Sequence, residues 1–450
     1  MLNILTFRAS LSGCLSASQI KLLFDIITAF FRVSYSITTR SLSRYTDCSL
    51  RTLFRFLKGE YDWINIRISL FKSYLFNPNE TYILVADETV EGKSRDKSFG
   101  IDRFYSSTVK IPIPGICIFG CSLIKVSTGD SYFLGASQVV KTPEDKARIA
   151  VEKAKLQEAK KRVTSGEKRQ SGRKSNTKNK VKQENDTPSY RVFKPMFIKI
   201  VNLLRQICIG IKVQHLVVDS AYGTKTYLNL AKQKSLFIVS KLKCNSNIVI
   251  PYTGPKTSKK PRIYGAELDK SNISSAYLKE TIEEEGYVVS CYQLQGYVKT
   301  CMPGILLNIV IKKTLRLSDK KTNTSIYFSS DLNLKYDEIL NFYHLRFQIE
   351  FDFRDAKQAF GLSDFKNYKK ENLTNFFNLS FTMCLVSKIY IKEYRVRLQN
   401  PKISILDIKL IQKARFIAQD IIKLMQKNPK MIFNDTSWQD FMPKDLINTA

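Results

Sequence analysis

Histidine is nearly absent from this 450-residue chain, which has only His215 and His344. Cysteine stands at 14, 48, 117, 121, 208, 244, 291, 301 and 384, an odd number with no CxxC pair. Zinc-finger and zinc-hydrolase sites therefore lack their ligands. Scattered thiols of this kind point to a reducing, intracellular setting instead of a disulfide framework. Tryptophan occurs twice, at 63 and 438. No apolar run approaches the ~18 residues that a membrane span needs, and Arg8 follows the first apolar run, the reverse of a signal peptide. Acidic residues are also scarce: 40 Asp and Glu face 72 Lys and Arg, a net charge of +32. A folded chain with that charge repels itself unless it meets a polyanion, for which nucleic acid is the commonest choice.

Apolar material is plentiful. Hydrophobic residues make up 44% of the chain, with 28 Phe and 22 Tyr, enough for sizeable cores. The basicity is not confined to one tail. Residues 153–182 hold twelve Lys or Arg and two Glu, a net +10, which leaves +22 elsewhere.

Residues 1–75 read as helices. Within residues 36–60 two short helices flank a tight connection. In the second, Ser49 or Asp47 caps the start, Leu50, Leu53, Phe54 and Leu57 form an apolar stripe, and Gly59 ends it. Arg51, Arg55 and Lys58 fall outside the stripe, as on a helix-turn-helix reading helix. The same pattern fits an ordinary amphipathic helix with solvated cations.

From Thr81 the texture changes to strand-length apolar runs: TYILVA ending at Asp87, then GICIFGCSLIKV, a polar turn, and SYFLGASQVV. Thr142, Pro143 and Asp145 start a helix that passes into a low-complexity basic stretch. A helical pattern resumes at Tyr190, followed by the strand HLVVDSAYG with Asp219 at its end. Strand-like runs alternate with polar turns over residues 245–330, a long helix spans residues 336–360, and helical sequence continues to about Lys427.

Three carboxylates stand out by position: Asp87 and Asp219 at strand ends, and Glu350 within the long helix. Singly, each is more often a turn, cap or solvated residue. Around Glu350, however, Tyr343, Arg346, Glu350 and Lys357 fall within an arc of about 60° at ~100° per residue. Asp352 lies near 180° and Asp355 near 120° on that wheel, so neither suits a site shared with Glu350. Carboxylates gathered from distant strands repel unless a divalent cation sits between them, and Mg²⁺ prefers one or two carboxylates plus substrate oxygens. Arg and Lys a turn or two away suit neighbouring phosphates. The chemistry indicated is hydrolysis or transfer at a phosphodiester.

The spacing Y-x2-R-x3-E-x6-K, together with ILVADET at Asp87 and LVVDSAYG at Asp219, resembles the DDE transposases of bacterial insertion sequences, in the branch marked by that signature. The resemblance covers roughly residues 80–395. It implies an α/β, RNase H-like catalytic core with a β-rich insertion, and helical regions at both ends. It divides the chain into a helical DNA-binding region (1–75), the first part of the core (76–142), a basic helix and low-complexity segment (143–189), the second part of the core (190–244), the β-rich insertion (245–330), the final core helices (331–395) and a helical C-terminal region (396–450).

By the same resemblance, Asp87, Asp219 and Glu350 form a catalytic and metal-binding triad for two Mg²⁺ ions, with Mn²⁺ able to substitute. Tyr343, Arg346 and Lys357 would contact phosphates at the element end. Expected partners are double-stranded DNA and a second copy of the chain in a synaptic dimer, in the bacterial cytoplasm and at the nucleoid. Hairpin-forming members of the branch carry a stacking Trp in the insertion, which this chain lacks. Tyr287, Tyr292 or Tyr297 offers a stacking face there, though each also fits as an ordinary strand aromatic. Two rivals stand beside a transposase: a non-catalytic DNA-binding protein derived from one, and a basic RNA-binding protein, for which no RNP-like or Gly-rich clamp motif is present.

Overall fold

The computed structural model describes residues 3–93, 97–106, 109–164, 186–255 and 262–427. The greater part of the expected low-complexity stretch and the tail beyond Lys427 lie outside the described residues.

Five helices come first: α1 (Ile4–Leu11), α2 (Ala17–Arg32), α3 (Thr39–Ser43), α4 (Leu50–Leu57) and α5 (Trp63–Tyr74). A meander follows, of β1 (Thr81–Gly92), β2 (Asp102–Ser106), β3 (Ile111–Lys125) and β4 (Ser131–Val139). Next come α6 (Pro143–Thr164), α7 (Pro188–Ile207), β5 (Lys212–Val218), α8 (Lys225–Gln233) and β6 (Phe237–Leu242). The remaining strands are β7 (Ile248–Pro251), β8 (Tyr264–Glu267), β9 (Leu278–Glu284), β10 (Tyr287–Val298), β11 (Met302–Arg316) and β12 (Thr322–Ser329). Helices α9 (Tyr336–Leu345), α10 (Gln348–Ala359), α11 (Lys370–Leu398) and α12 (Ile405–Lys427) close the described chain.

The order β4-β3-β1-β5-β6 is RNase H-like. β3 pairs antiparallel with both β1 and β4, reaching β4 through a short turn, whereas β5 lies parallel to β1, and β6 parallel to β5. Parallel neighbours need crossovers, which α7 and α8 supply. Tyr82 to Ala86 are wholly buried, the continuous apolar run expected of a central strand covered on both faces. Beyond β6 the sheet does not stop. β12 pairs antiparallel with β6, then β11 and β10 follow, so the β-rich segment is hydrogen-bonded into one twelve-stranded sheet.

Four local expectations are corrected. β1 does not end at Asp87; its antiparallel ladder with β3 carries it to Gly92, paired with Gly115. Strand β2 was not anticipated. In α4 the buried residues are Leu53, Phe56 and Leu57, while Phe54 is exposed, because Phe56 stacks on Tyr61. The long helix is also interrupted. Just after Arg346 the amides reach carbonyls three positions back: Phe347 to His344, Ile349 to Arg346 and Glu350 to Phe347. Such a tightened turn advances faster than 100° per residue, so the single helical wheel does not carry across it.

Two contacts seat α10 against the sheet. Gly120 lies opposite Asp87 in the β1–β3 ladder. A Cβ there would come within 2.7 Å of Phe353 and 2.9 Å of Phe133, so only glycine lets α10 approach. Asp352, 1% exposed, then accepts hydrogen bonds from Ser122 of β3 and Ser131 of β4, pinning the helix to both strands. The N-terminal helices are held just as firmly. The Arg67 guanidinium is fully buried and donates to the Leu134 carbonyl of β4 and to Asn378 of α11. Asn375 accepts from the Trp63 indole and donates to the carbonyls of Leu57 and Gly59.

Gly120→Ala is expected to lower stability by about 1–3 kcal/mol, the usual penalty of overpacking. Gly13→Ala, with nothing within 4 Å, serves as the neutral control. Denaturant unfolding of the two variants decides it, and equal stability would mean that α10 is not seated on Gly120.

Candidate active site

The parallel pairing of β1 with β5 ends at Ala86 opposite Val218. Asp87, within β1, and Asp219, just after β5, are the next residues, so the fold sets two carboxylates side by side where the parallel pairing ends. Ligand sites of open α/β sheets commonly lie there. Glu350 comes from the first turn of α10. All three converge on the Arg346 guanidinium. Its Nη1 donates to Asp87 Oδ2 at 2.5 Å, and its Nη2 donates to Glu350 Oε1 at 3.2 Å and lies 3.9 Å from Asp219 Oδ1. The Arg346 side chain is 7% exposed, against 48% for that of Glu350.

Burial pushes the Asp87 carboxyl up to about 6, and the Arg346 charge opposes that shift without cancelling it. For Arg346, burial alone would lower the pKa, but Asp87 and the other carboxylates outweigh it and the net shift is upward. Tyr343 donates its hydroxyl to Asp219 Oδ1 at 3.1 Å. Burial and then the Asp219 charge hold that phenol well above its ordinary value. The guanidinium also lies over the rings of Phe347 and Tyr343, at 4.8 and 5.5 Å.

The structure thus brings together Asp87, Asp219, Glu350, Tyr343 and Arg346. It does not place Lys357 beside them: Lys357 donates to the Val90 carbonyl at 2.9 Å and pairs with Glu91 at 3.5 Å. Arg346 was expected to face phosphate, and here it faces carboxylates. Asp352 and Asp355 stay apart from the site, the first bonded to Ser122 and Ser131 and the second beside Arg354. Arg51, Arg55 and Lys58 form one exposed face of α4 together with Phe54. Tyr287, Tyr292 and Tyr297 lie on β10, three strands beyond β6, where they meet Arg316, Lys313 and Tyr264.

No group of three His, Cys, Asp or Glu among the described residues is close enough to hold a metal ion as placed. The residue types nevertheless fit a hard divalent cation, since three carboxylates aim at one positive centre. Sequence reasoning missed the hydrogen bond from Tyr343 to Asp219 and the closure of the site by Arg346. The spacing of Arg346 and Glu350, four apart on a helix, was the only signal of the latter.

A family model described as DDE superfamily endonuclease matches residues 14–283, more than half the chain. The chain belongs to that superfamily. The match spans the N-terminal helices from α2 onward, Asp87 and Asp219, and it ends before Glu350. No curated protein matches the chain. No described helix of this DDE protein is long and apolar enough to cross a membrane.

Glu350 and Asp352 are a matched pair for testing the site. Glu350→Gln keeps shape but loses charge, and it is expected to abolish DNA cleavage without lowering stability. Asp352→Asn still accepts from both serines and should retain substantial cleavage. Burial raises the Asp352 carboxyl to about 6, above its unfolded value, so the folded state binds the proton more tightly. The stability of the parent should therefore fall as pH rises from about 4 to about 6, by on the order of 1–2 kcal/mol. Asp352→Asn should lack that component. Cleavage assays with melting curves across this range measure both, and an inactive Asp352→Asn beside an active Glu350→Gln would move the third carboxylate elsewhere.

Proposed function

We propose that this protein is a DNA transposase of the insertion-sequence type, which binds element ends, cleaves them by metal-dependent hydrolysis and joins the freed 3′ ends to target DNA. The observation that carries the reading is the convergence of Asp87, Asp219 and Glu350 on one cationic centre in a chain of the DDE endonuclease superfamily. Divalent metals are in general use in that superfamily. Asp87, Asp219 and Glu350 are the residues that would hold Mg²⁺ or Mn²⁺. When bound, the ions would activate the attacking oxygen and stabilise the leaving one.

The chain's own groups do the rest. Arg346 keeps the three carboxylates from repelling one another, and its flat fork is suited to a phosphate once a second cation takes over that duty. Tyr343 fixes the orientation of Asp219. Burial of Asp87 and Arg346 excludes water and strengthens each charge interaction there. Arg51 and Arg55 on α4 and Lys58 at its end, with exposed Phe54 between them, present a phosphate-binding and base-contacting face for element ends. The basic segment 153–182 adds non-specific grip. A synaptic dimer on two element ends completes the proposal.

Cleavage of end DNA should need Mg²⁺ or Mn²⁺ and stop in EDTA while end binding persists. Binding without cleavage in either metal would favour the non-catalytic DNA-binding protein. Arg346→Ala leaves three carboxylates facing one another, so in EDTA it should lose about 3–5 kcal/mol of stability, with Mg²⁺ restoring part of the loss. A melting temperature indifferent to both changes would sink the charge-balancing role. Replacing Arg51, Arg55 and Lys58 together by Ala should weaken end binding and flatten its salt slope by about one unit per lost phosphate contact, as measured by fluorescence anisotropy over a salt series.

A further inference from the structure

A recess of about 300 Å³ lies between the C-terminal part of α11 and the end of the sheet where β1 begins, and none of Asp87, Asp219, Arg346 and Glu350 lines it. Lys125 of β3, in its wall, pairs with Tyr82 of β1, five residues before Asp87, a span of roughly 17 Å along an extended strand. Thr128 and Asp130 come from the turn region between β3 and β4, and Leu75 and Asn77 from the chain that leads from α5 into β1. On α11, Lys388, Ile391, Lys392 and Arg395 fall within about 100° of the helix and form the facing wall.

Cations dominate the lining. Lys125, Lys388, Lys392 and Arg395 share it with Asp130 as the single acidic residue. Asp130 is already engaged, accepting from Arg395 Nη1 at 2.8 Å and from Thr128 at 2.7 Å. Lys125 stands 3.8 Å from Asp130 and 3.9 Å from Glu80, which lies outside the lining. Four positive charges thus meet two negative ones. Lys392 donates to a neutral partner, the Tyr74 carbonyl, at 2.8 Å. The Arg395 Nε is buried and has no hydrogen-bond partner among the described residues. Half-buried Lys388 has no ion pair among them; it acts on Asp352 and Asp355 at longer range, but Asp352 is held by two serines and Asp355 by Arg354.

Surplus positive charge in a concave place calls for an anion. A guanidinium with an N–H to spare, beside ammonium groups on flexible stems, suits a phosphate. Leu75, Ile391 and Val396 supply an apolar side, and the volume is at the lower limit of small-molecule clefts. Of the four cations only Lys392 is exposed. A duplex passing over the surface would therefore meet one cation, whereas a compact ligand inside the recess meets all four.

We propose that this recess binds a small phosphate-bearing molecule, with its phosphate at Lys388, Lys392 and Arg395 and any apolar body against Leu75, Ile391 and Val396. Inorganic pyrophosphate and a nucleoside monophosphate share that chemistry.

Isothermal titration calorimetry on the full chain, free of DNA and in EDTA, uses pyrophosphate and AMP as probes. The parent should bind at least one of them, and replacing Lys388 and Lys392 together by Ala should weaken that binding by on the order of ten-fold or more. Tighter binding of AMP marks the nucleotide as the ligand, and tighter binding of pyrophosphate marks the bare phosphate. Lys392→Ala alone, an exposed change, should give part of the loss at an unchanged melting temperature, and arginine at both positions should keep the binding. Replacing Lys241 and Lys312 by Ala, in the separate cavity that Asp219 and Arg346 line, should leave it intact. The salt slope of random-duplex binding should be the same in the Lys388 and Lys392 double replacement as in the parent. Failure of the parent to bind either probe, or binding that survives the double replacement or disappears with Lys241 and Lys312, would overturn the site. A duplex salt slope lowered by about one unit per lysine removed would overturn it in favour of a surface for the DNA backbone.

Discussion

A buried guanidinium among three carboxylates is the constraint around which this molecule is arranged. Asp87 and Asp219 are forced together by the parallel pairing of their strands, and Glu350 is brought over them by α10. Without a cation between them such a cluster would be costly, since like charges in a poorly solvated place cannot all ionise freely. Arg346 supplies that cation from within the chain. The arrangement is therefore folded, with its negative charge partly offset, before any metal arrives. A divalent ion would compete with an internal arginine for the same carboxylates, and the arginine, once displaced, stands beside the place where a phosphate is needed.

That balance depends on α10 being held close to the sheet. Gly120 removes the one Cβ that would hold Phe353 away, and Asp352 reaches down to serines on two neighbouring strands. Asp352 lies on the opposite side of the helix from Glu350. Residues 350 and 352 therefore divide the work: one faces the site, the other anchors the helix that presents it. Further out, Arg67, Asn375 and Asn378 tie the N-terminal helices to the same core through buried hydrogen bonds. The basic face of α4 is thus carried on a firmly packed frame instead of a tether.

The positive charge of the chain falls into distinct settings. Some cations, such as Arg346 and Arg67, are internal and structural. Others, such as Arg51, Arg55 and Lys58, are exposed in a stripe. A third set, Lys241, Lys243 and Lys312, lines a cavity next to the carboxylates. Internal cations such as Arg346 and Arg67 have no charge left over for a polyanion, so the net +32 overstates what is available to one.

The sequence by itself determined the α/β class, the strands that carry Asp87 and Asp219, the helical ends and the isolation of Asp352 from Glu350. All of these follow from hydrophobic periodicity and local spacing, which are properties of neighbours along the chain. It also singled out Tyr343, Arg346 and Glu350, because their spacing is short enough for a helix to bring them together. What tertiary structure alone decided was what those groups touch. The extension of β1 to Gly92 required its partner β3, and the break at Arg346 required the packing of two helices on different parts of one sheet. Arg346 meets carboxylates, and Lys357 meets Glu91, because strands more than two hundred residues away in sequence lie under that turn. The lysines of the cavity left no mark in the sequence at all, since Lys241 and Lys312 become neighbours only through the register of β6, β12 and β11. The β6–β12 pairing joins strands far apart in sequence, so which of their residues face one another is decided only when the sheet assembles.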